Sequence, residues 1–302
     1  MQTEKNTKQP LIVVVAGANG HLGQKIVAHL VELQLQPKAL VRAGGKTPVV
    51  IPGADIAIVD YNNRQSLVDA CRGAHCVVSA LSGLKEVILD AQTSLLNAAV
   101  EAGVKRFIPS DYCIDYTKLP DGSNRNLDLR REFQHRLDVA PIAATSILNG
   151  MFTDLLIEEA PLIQFNWKRV LYWGDADQLL DFTTLEDTAA FTAKAAADDD
   201  TPRFLRIAGD TLSSKGLQQS ATRAVGQSFK RTRVGGTGLL KAMIAVTKTI
   251  LPKPKEVFPP WQGMQYMLNM YTGLPKLHPL DNDRYPGMQW TSVEEVLKRR
   301  GG

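Results

Sequence analysis

Three glycines near the amino terminus are spaced so that they could form a phosphate-binding loop. Gly17, Gly20 and Gly23 follow an apolar run and precede a segment with helical periodicity. Where a strand leads through such a loop into a helix, unpaired N–H groups and the positive end of the helix dipole point towards a bound anion. The loop is therefore predicted to hold a dinucleotide pyrophosphate through Gly17, Ala18, Asn19, Gly20, His21, Leu22 and Gly23.

The residue that would end the second strand is basic, which bears on the choice of dinucleotide. Arg42 lies 19 residues after Gly23, with Lys46 behind it. NAD sites usually carry an acidic residue there, which binds the ribose 2′-hydroxyl. An arginine can instead form charge-assisted hydrogen bonds of about 1.5–3 kcal/mol each with a 2′-phosphate. The sequence therefore predicts NADP(H) as the cofactor, with a solvated surface role for Arg42 as the alternative.

The elements that must position these residues alternate between apolar runs and amphipathic segments. Strands are predicted at residues 11–16, 38–42, 54–60, 76–81, 105–110 and 142–148. Helices are predicted over the stripe Leu22, Ile26, Leu30 and Leu33, and at residues 66–74, 85–102 and 127–138, the last capped by Asn126. Uninterrupted apolar strands are typical of a parallel sheet covered on both faces. With right-handed crossovers, the prediction is an α/β fold with a doubly wound (Rossmann) sheet.

The pattern becomes less regular after Gly150. Residues 1–150 are predicted to form the NADP-binding domain, and residues 151–302 a smaller C-terminal substrate or partner lobe. Residues 170–209 are expected to return to the sheet, with a capping box formed by Thr183 and Glu186 opening a helix. Because ligands bind at the carboxyl edge of such sheets, Asn149 is expected to contact nicotinamide or substrate.

Composition excludes several classes of protein. The net charge of +4 is mild and no nucleic-acid motif accompanies it, so nucleic-acid binding is not expected. The polar amino terminus lacks the apolar core of a signal peptide, and no apolar run has the length of a membrane span. The three cysteines lack metal-site spacing and indicate no disulfide framework. A cytoplasmic protein without a bound metal is expected.

A long basic stretch marks the second half of the chain. Residues 211–255 contain nine lysines and arginines and no acidic residue. Leu239, Leu240, Met243, Ile244 and Ile250 indicate an amphipathic helix with Lys241 and Lys248 on its outer side. The stretch is interpreted as a solvated surface, or as a dock for an acidic protein partner or a membrane surface.

The glycine loop, Arg42 and the segment AGVKRFIPSDY at residues 102–112 resemble the NmrA-like and isoflavone-reductase-like group of atypical short-chain dehydrogenases. The likeness includes LEDTAAFTAKAA and the terminal WTSVEEVLK, and covers most of the chain. It implies an NADP-binding fold with a substrate cleft. It further implies that Asp60 lies near the adenine, and that Ala80, Leu81 and Ser82, at the end of VVSAL and just after it, lie beside the cofactor ribose.

The same resemblance raises the question of catalysis. Ser110 occupies the family's serine position, but no Tyr-x-x-x-Lys pair exists in the chain. The family's reductases use a lysine on the helix after the fifth strand, and here the matching turn begins at Arg130. Arginine stays charged and cannot donate a proton usefully, although it can stabilise an oxyanion. Tyr112 as proton donor and Lys118 as cation complete the candidate catalytic residues.

Two functions remain open at this point. The favoured one is an NADPH-dependent reductase of a small carbonyl or aromatic substrate. The alternative is a non-catalytic regulator that responds to NADP(H) and acts through a protein partner, as some members of the family do. The missing lysine favours the regulator, whereas the intact glycine loop is common to both.

Overall fold

Six parallel strands form the central sheet. The computed structural model describes residues 10–44, 51–158 and 160–300. The strands are β1 (Ile12–Ala16), β2 (Gln36–Arg42), β3 (Asp55–Val59), β4 (Cys76–Ser79), β5 (Arg106–Ile108) and β6 (Ala143–Ala144). Their spatial order is β3-β2-β1-β4-β5-β6, which is the doubly wound order with a crevice at the carboxyl ends of β1 and β4. The predicted fold class is confirmed.

Eight further strands and ten α-helices lie in the described part of the chain. The remaining strands are β7 (Ser146–Leu148), β8 (Met151–Phe152), β9 (Ile163–Gln164), β10 (Arg169–Trp173), β11 (Leu180–Thr183), β12 (Phe204–Arg206), β13 (Asp210–Leu212) and β14 (Lys230–Gly235). The helices are α1 (His21–Glu32), α2 (Arg64–Cys71), α3 (Gln92–Glu101), α4 (Arg125–Asp138), α5 (Leu155–Glu158), α6 (Leu185–Ala196), α7 (Ser214–Val225), α8 (Thr237–Ile250), α9 (Pro260–Tyr271) and α10 (Val293–Arg299).

Alternation along β1 explains why helices cover both faces of the sheet. Val13 and Val15 pack with buried residues of α1 and α6, whereas Val14 and Ala16 pack with α2, α3 and α4. Successive side chains of a strand point to opposite faces, so an apolar run without alternation must be buried on both. Each large aliphatic side chain buried in this way contributes about 1.5–3 kcal/mol.

A separate apolar core lies in the second half of the chain. It combines residues of α7, α8, α9 and α10 with Cys113, Ile114 and Tyr116 from the loop after β5. In addition, β12 pairs in parallel with β7, across the predicted division at residue 150. The two halves are therefore interleaved, and the division at residue 150 stays a prediction.

Two predicted helix caps are wrong by one or two residues. The side chain of Asn124, not Asn126, accepts hydrogen bonds from the backbone N–H groups of Asn126 and Leu127 at the start of α4. At α6 the cap is Thr184, whose hydroxyl accepts from Asp187 N at 2.9 Å. In both cases the cap is the residue with extended backbone just before the helix, which local sequence alone does not identify.

The predicted sixth strand is divided in the structure. Residues 143–144 pair with β5, whereas residues 146–148 pair with β12. Thr145 separates the two segments, and its hydroxyl accepts a hydrogen bond from Arg106 at 2.7 Å. The strand therefore changes partner where a buried polar network interrupts the pairing.

The amphipathic helix predicted in the basic stretch is α8, but its buried face is narrower than expected. Leu240 and Ile244 are buried, whereas Leu239 and Ile250 are exposed, contrary to the prediction. No helix in residues 10–44, 51–158 or 160–300 has the length and apolar character needed to cross a bilayer. The same residues contain no group of three His, Cys, Asp or Glu side chains that could hold a metal ion.

Candidate functional site

The glycine loop packs directly against the carboxyl end of β4. Gly17 has a φ of +77°, and a Cβ atom built on it would lie 2.5 Å from the carbonyl oxygen of Ala80. A Cβ atom on Gly23 would lie 2.2 Å from the carbonyl oxygen of Gly17. Both positions therefore require glycine for the loop to close, independently of any ligand.

Gly20 differs from the other two glycines because the space beside it is open. The nearest heavy atom to a Cβ there would be Gly17 O at 3.4 Å. Gly20 is also the N-cap of α1 and provides no side-chain cap, so the amides of the first turn remain available to an anion. Asn19 and His21 are exposed beside it, and Ala18 is buried beneath. This cradle fits the pyrophosphate of a dinucleotide.

Arg42 is exposed at the carboxyl end of β2, one strand away from the glycine loop. It lies near Tyr61: burial raises the pKa of that phenol to about 12, with Cys71 adding to the rise and Arg42 opposing it. Asp60 is exposed at the end of β3, where its carboxylate accepts the Asn62 amide at 2.9 Å. Lys46 lies outside the described residues, so its role stays a prediction.

Ser110 connects the ends of β4 and β5. Its hydroxyl donates to the carbonyl oxygen of Leu81 at 2.5 Å, and its amide donates to Oε1 of Gln92 at 3.0 Å. Leu81 follows Ala80, whose backbone N–H donates to Ala16 O at 2.8 Å, next to Gly17. A continuous set of contacts therefore leads from the glycine loop through Leu81 to Ser110.

Gln92 also contacts Ser110, although no pattern in the sequence indicates this. It is buried, and its side-chain Nε2 donates to the carbonyl oxygen of Ile88 at 3.1 Å. The helix predicted at residues 85–102 begins with a π-helical turn, Glu86–Ala91, which ends just before Gln92. Such turns often occur at functional sites, but no local residue pattern marks them in advance.

Arg130 extends the contact set from Ser110 to α4. Its Nε donates to Ser110 O at 3.1 Å, and its Nη1 donates to Asn126 O at 3.0 Å. Burial disfavours its charge, but Tyr266 and the other acidic groups around it outweigh burial and raise the pKa of Arg130. Within the described residues, only two of its five N–H donors are used, so a cation with free donors lies beside Ser110.

Tyr112 points into the core between the sheet and the helices α1 and α6. It is 8% exposed, and its hydroxyl has no hydrogen-bond partner among the described residues. The hydroxyl of the neighbouring Thr192 already donates to Thr188 O at 2.7 Å. Burial raises the pKa of Tyr112 far above its ordinary value. This environment argues against Tyr112 as a proton donor to a ligand in the crevice.

A buried carboxylate organises the loop after β5. Asp111 is fully buried, and its Oδ2 accepts hydrogen bonds from Tyr116 at 2.9 Å and Ser146 at 2.7 Å. Burial raises the pKa of Asp111, and the hydrogen bond from Ser146 opposes the rise. This network ties the loop to β7, next to Ser110.

Lys118 is turned towards the opposite end of the same loop. Its Nζ donates to Lys276 O at 2.7 Å and lies 3.3 Å from Asp115. Asp115 is also paired with Arg206 at 2.8 Å. Lys118 therefore supports the loop in this structure, and its role as a catalytic cation stays a prediction.

Replacing Asp115 by asparagine is expected to destabilise the protein by about 3 kcal/mol, because it leaves a partly buried Arg206 without its carboxylate. Burial opposes ionisation, but Thr117, Arg206 and Lys118 together lower the pKa of Asp115. The ionised Asp115 therefore contributes fully to the free energy of unfolding above the ordinary aspartate pKa, and this contribution is lost as the pH falls through the lowered pKa of Asp115. Urea unfolding of both proteins between pH 7 and pH 3 tests this.

The exposed Asp121 is the matched control for this substitution. It is paired with Arg131 at 2.8 Å, but its side chain is 89% exposed. Asp121→Asn should change the free energy of unfolding by less than about 1 kcal/mol. Equal effects of the two substitutions, or an Asp115 effect that grows in acid, would contradict the assignment.

Asn149 directly follows β7. It is fully buried. Its backbone N–H donates to Cys113 O at 3.0 Å, and its side-chain Nδ2 donates to Thr188 Oγ1 at 3.3 Å. Its Oδ1 has no partner within the described residues. The contacts with cofactor predicted for Asn149, Ala80 and Ser82 stay predictions.

The NmrA-like family model matches residues 9–295 of the chain. The chain belongs to the NmrA-like family. The resemblance found in the sequence is thereby confirmed. Isoflavone reductase homolog P3 of Arabidopsis thaliana is 26% identical to this NmrA-like chain, covering 98% of it and 99% of the relative. Pinoresinol reductase 2 of the same plant is 25% identical, covering 98% of each.

Solved structures share the fold of this NmrA-like protein. Leucoanthocyanidin reductase of Vitis vinifera, in a binary complex with NADPH, superimposes with a TM-score of 0.78 at 19% identity, covering 96% of this chain and 99% of the other. AtPrR2 with NADP+ and (+)pinoresinol gives a TM-score of 0.77 at 23% identity, covering 97% and 99%. At these identities the likeness extends to the fold.

Proposed function

We propose that this NmrA-like protein is an NADPH-dependent reductase of a small carbonyl or aromatic compound. The observation that carries the proposal is the contact set from Gly17 through Leu81 and Ser110 to Arg130, which joins a dinucleotide cradle to a cation. Relatives named as pinoresinol reductases and a neighbour solved with NADPH support the same reaction class.

The cofactor would be held by three features of the chain. The open backbone around Gly20 would receive the pyrophosphate, Arg42 and Lys46 the 2′-phosphate, and Asp60 would border the adenine. The loop from Ala80 to Ser82 would border the ribose, as the family resemblance implies. Bound NADPH would supply a hydride, which a carbonyl or an electron-poor ring can accept.

Arg130 would act on the substrate electrostatically. Its unused N–H donors would bind the oxygen on which negative charge develops, and the guanidinium would stabilise that charge without giving up a proton. The proton would therefore come from solvent, because Tyr112 is enclosed in the core. Ser110 would border the same space, since its carbonyl oxygen orients Arg130 and its hydroxyl holds Leu81.

The choice of cofactor is tested by Arg42→Asp. The variant is expected to bind NADPH about 10- to 100-fold more weakly, because one charge-assisted hydrogen bond of about 1.5–3 kcal/mol is lost. Binding of NADH should be retained or improved, since the carboxylate can accept from the ribose 2′-hydroxyl. Fluorescence titration with both dinucleotides measures the two dissociation constants.

Arg72→Asp is the matched control, because Arg72 is an exposed arginine paired only with the nearby Asp69 in the described part of the chain. It makes the same change of charge and should leave both dissociation constants unchanged. Equal weakening of NADPH binding by the two variants would show that the effect of Arg42→Asp comes from the change in net charge alone. An unchanged affinity in Arg42→Asp would contradict NADP(H) selection by this residue.

The reductase proposal itself is tested by following NADPH oxidation across a panel of carbonyl and phenylpropanoid compounds. Turnover of at least one compound is the expected result. NADPH binding without any turnover, together with a large difference in affinity between NADP+ and NADPH, would replace it with a redox-responsive regulator. Differential affinity is required for that alternative, because a ligand that binds two states equally shifts neither.

A further inference from the structure

The helix α8 and the turn that follows it carry exposed apolar side chains. Leu239, Val246 and Ile250 are spaced seven and four residues apart, which puts them on one face of the helix. Val246 is 57% exposed and Ile250 is 70% exposed. Phe258, in the segment before α9, is 61% exposed. We call the surface formed by these apolar side chains and the nearby lysines the α8 surface; its residues are Leu239, Val246, Ile250, Leu251, Phe258, Lys241, Lys248, Lys253 and Lys255.

This surface is not the face that holds the helix in the fold. Leu240 and Ile244 are buried in the second core, and they attach α8 to the protein. The face carrying Val246 and Ile250 has no such covering within the described residues. Exposure of large apolar side chains to water is unfavourable by about 25 cal/mol per Å² of apolar area. A group of such side chains on one surface therefore indicates a contact surface.

The charge around the α8 surface is predominantly positive. Lys241, Lys248, Lys253 and Lys255 are all exposed, and residues 211–255 contain no acidic residue. Glu256 is the first carboxylate after this stretch and is paired with Lys253 at 2.8 Å. The ammonium of Lys248 lies 5.2 Å from the ring of Trp261. The surface therefore combines protruding apolar groups with a net positive charge.

We propose that the α8 surface binds an anionic lipid membrane peripherally. Helices that lie in a membrane interface have this combination: apolar side chains enter the acyl boundary while lysines contact the headgroups. Each lysine near an anionic leaflet contributes about 1 kcal/mol, and the apolar side chains supply the second attachment that stable binding requires.

The charge of the surface argues against a second copy as its occupant. In a two-fold dimer the same patch meets itself, so both sides of the contact would carry the net positive charge of four lysines and one glutamate. An anionic bilayer instead offers negative charge and an apolar interior together. The turn supports this choice, because Ile250, Leu251 and Phe258 flank Lys253 and Lys255 along the chain.

The test is sedimentation of the full chain with phosphatidylcholine vesicles that contain or lack phosphatidylserine. Binding is expected only with phosphatidylserine, and it should weaken on going from about 0.1 M to about 1 M salt, where the screening length falls from about 10 Å to about 3 Å. The double variant Ile250→Asp/Phe258→Asp should reduce binding by about tenfold or more. Lys253→Gln/Lys255→Gln should weaken it while leaving NADPH affinity unchanged.

Val139→Asp is the matched control, since Val139 is 84% exposed at the end of α4, on another part of the protein. It should bind vesicles like the unaltered chain. Equal binding to both vesicle types would overturn the proposal. Absence of vesicle binding would overturn it as well. In that case, a change of oligomeric mass in Ile250→Asp/Phe258→Asp would indicate a second copy as the occupant, and retention of the chain on immobilised polyglutamate would indicate an acidic protein partner.

Discussion

Gly23→Ala is expected to abolish measurable NADPH binding at ordinary cofactor concentrations. The added Cβ would lie 2.2 Å from Gly17 O and 2.8 Å from Ala18 Cα, both backbone atoms that cannot rotate away. The loop must therefore move off the start of α1, and its amides lose their alignment with the pyrophosphate. Loss of two charge-assisted hydrogen bonds at about 1.5 kcal/mol each weakens binding by about 100-fold or more.

The same substitution should lower the free energy of unfolding by about 1–3 kcal/mol, because it overpacks a closed contact. Fluorescence titration and urea unfolding measure the two effects separately. Gly263→Ala is the matched control, since Gly263 also lies in a helix but has no heavy atom within 4 Å of its Cβ position. It should bind NADPH normally and gain up to about 1 kcal/mol from helix propensity. Normal NADPH binding by Gly23→Ala would contradict the loop assignment.

Arg130→Met is expected to reduce kcat by about 100- to 1,000-fold, the usual cost of removing one group that stabilises an oxyanion. The dissociation constant for NADPH should change little, because Arg130 faces Ser110 and Asn126 rather than the glycine loop. Arg130→Lys should recover part of the rate, since it retains a cation at the position of the family's lysine. Steady-state turnover and cofactor titration separate these effects.

Arg136→Met provides the control on the same helix. Arg136 is paired with Glu132 at 2.7 Å and donates to Thr93 Oγ1 of α3 at 3.1 Å, and within the described residues it has no bond to Ser110. It should leave kcat and the NADPH affinity unchanged. A kcat of Arg130→Met within tenfold of the unaltered protein would remove Arg130 from the mechanism, and a matching loss in Arg136→Met would point to a general weakening of α4.

The parts of the fold that were predicted correctly depend on local regularities. Unbroken apolar runs indicated parallel strands buried on both faces, and β1 shows why: Val13 and Val14 each meet a different layer of helices. The glycine spacing indicated the loop because Gly17 and Gly23 make contacts that no other residue allows. Both signals depend on residue type and short spacing, which a sequence carries explicitly.

The features that were missed depend on contacts between distant parts of the chain. Asn126 and Thr183 were predicted as helix caps in place of Asn124 and Thr184, because their side chains are equally suitable for capping. Thr183 has a different role, because its hydroxyl donates to Asn149 O at 2.7 Å. Gln92, which holds the amide of Ser110, lies 18 residues before it in the chain. Such partners are chosen by packing and have no local pattern.

The sequence by itself determined that strand, loop and helix would form a dinucleotide cradle, and that Arg42 would stand at the end of the next strand. Only the tertiary structure decided where the polar residues after β5 lie: Arg130 donates to Ser110 O, whereas Tyr112 is enclosed in the core. It also left the apolar face of α8 exposed. The physical reason is that hydrophobic period and glycine geometry act locally, whereas the direction of a side chain in a loop is set by the elements that pack against it.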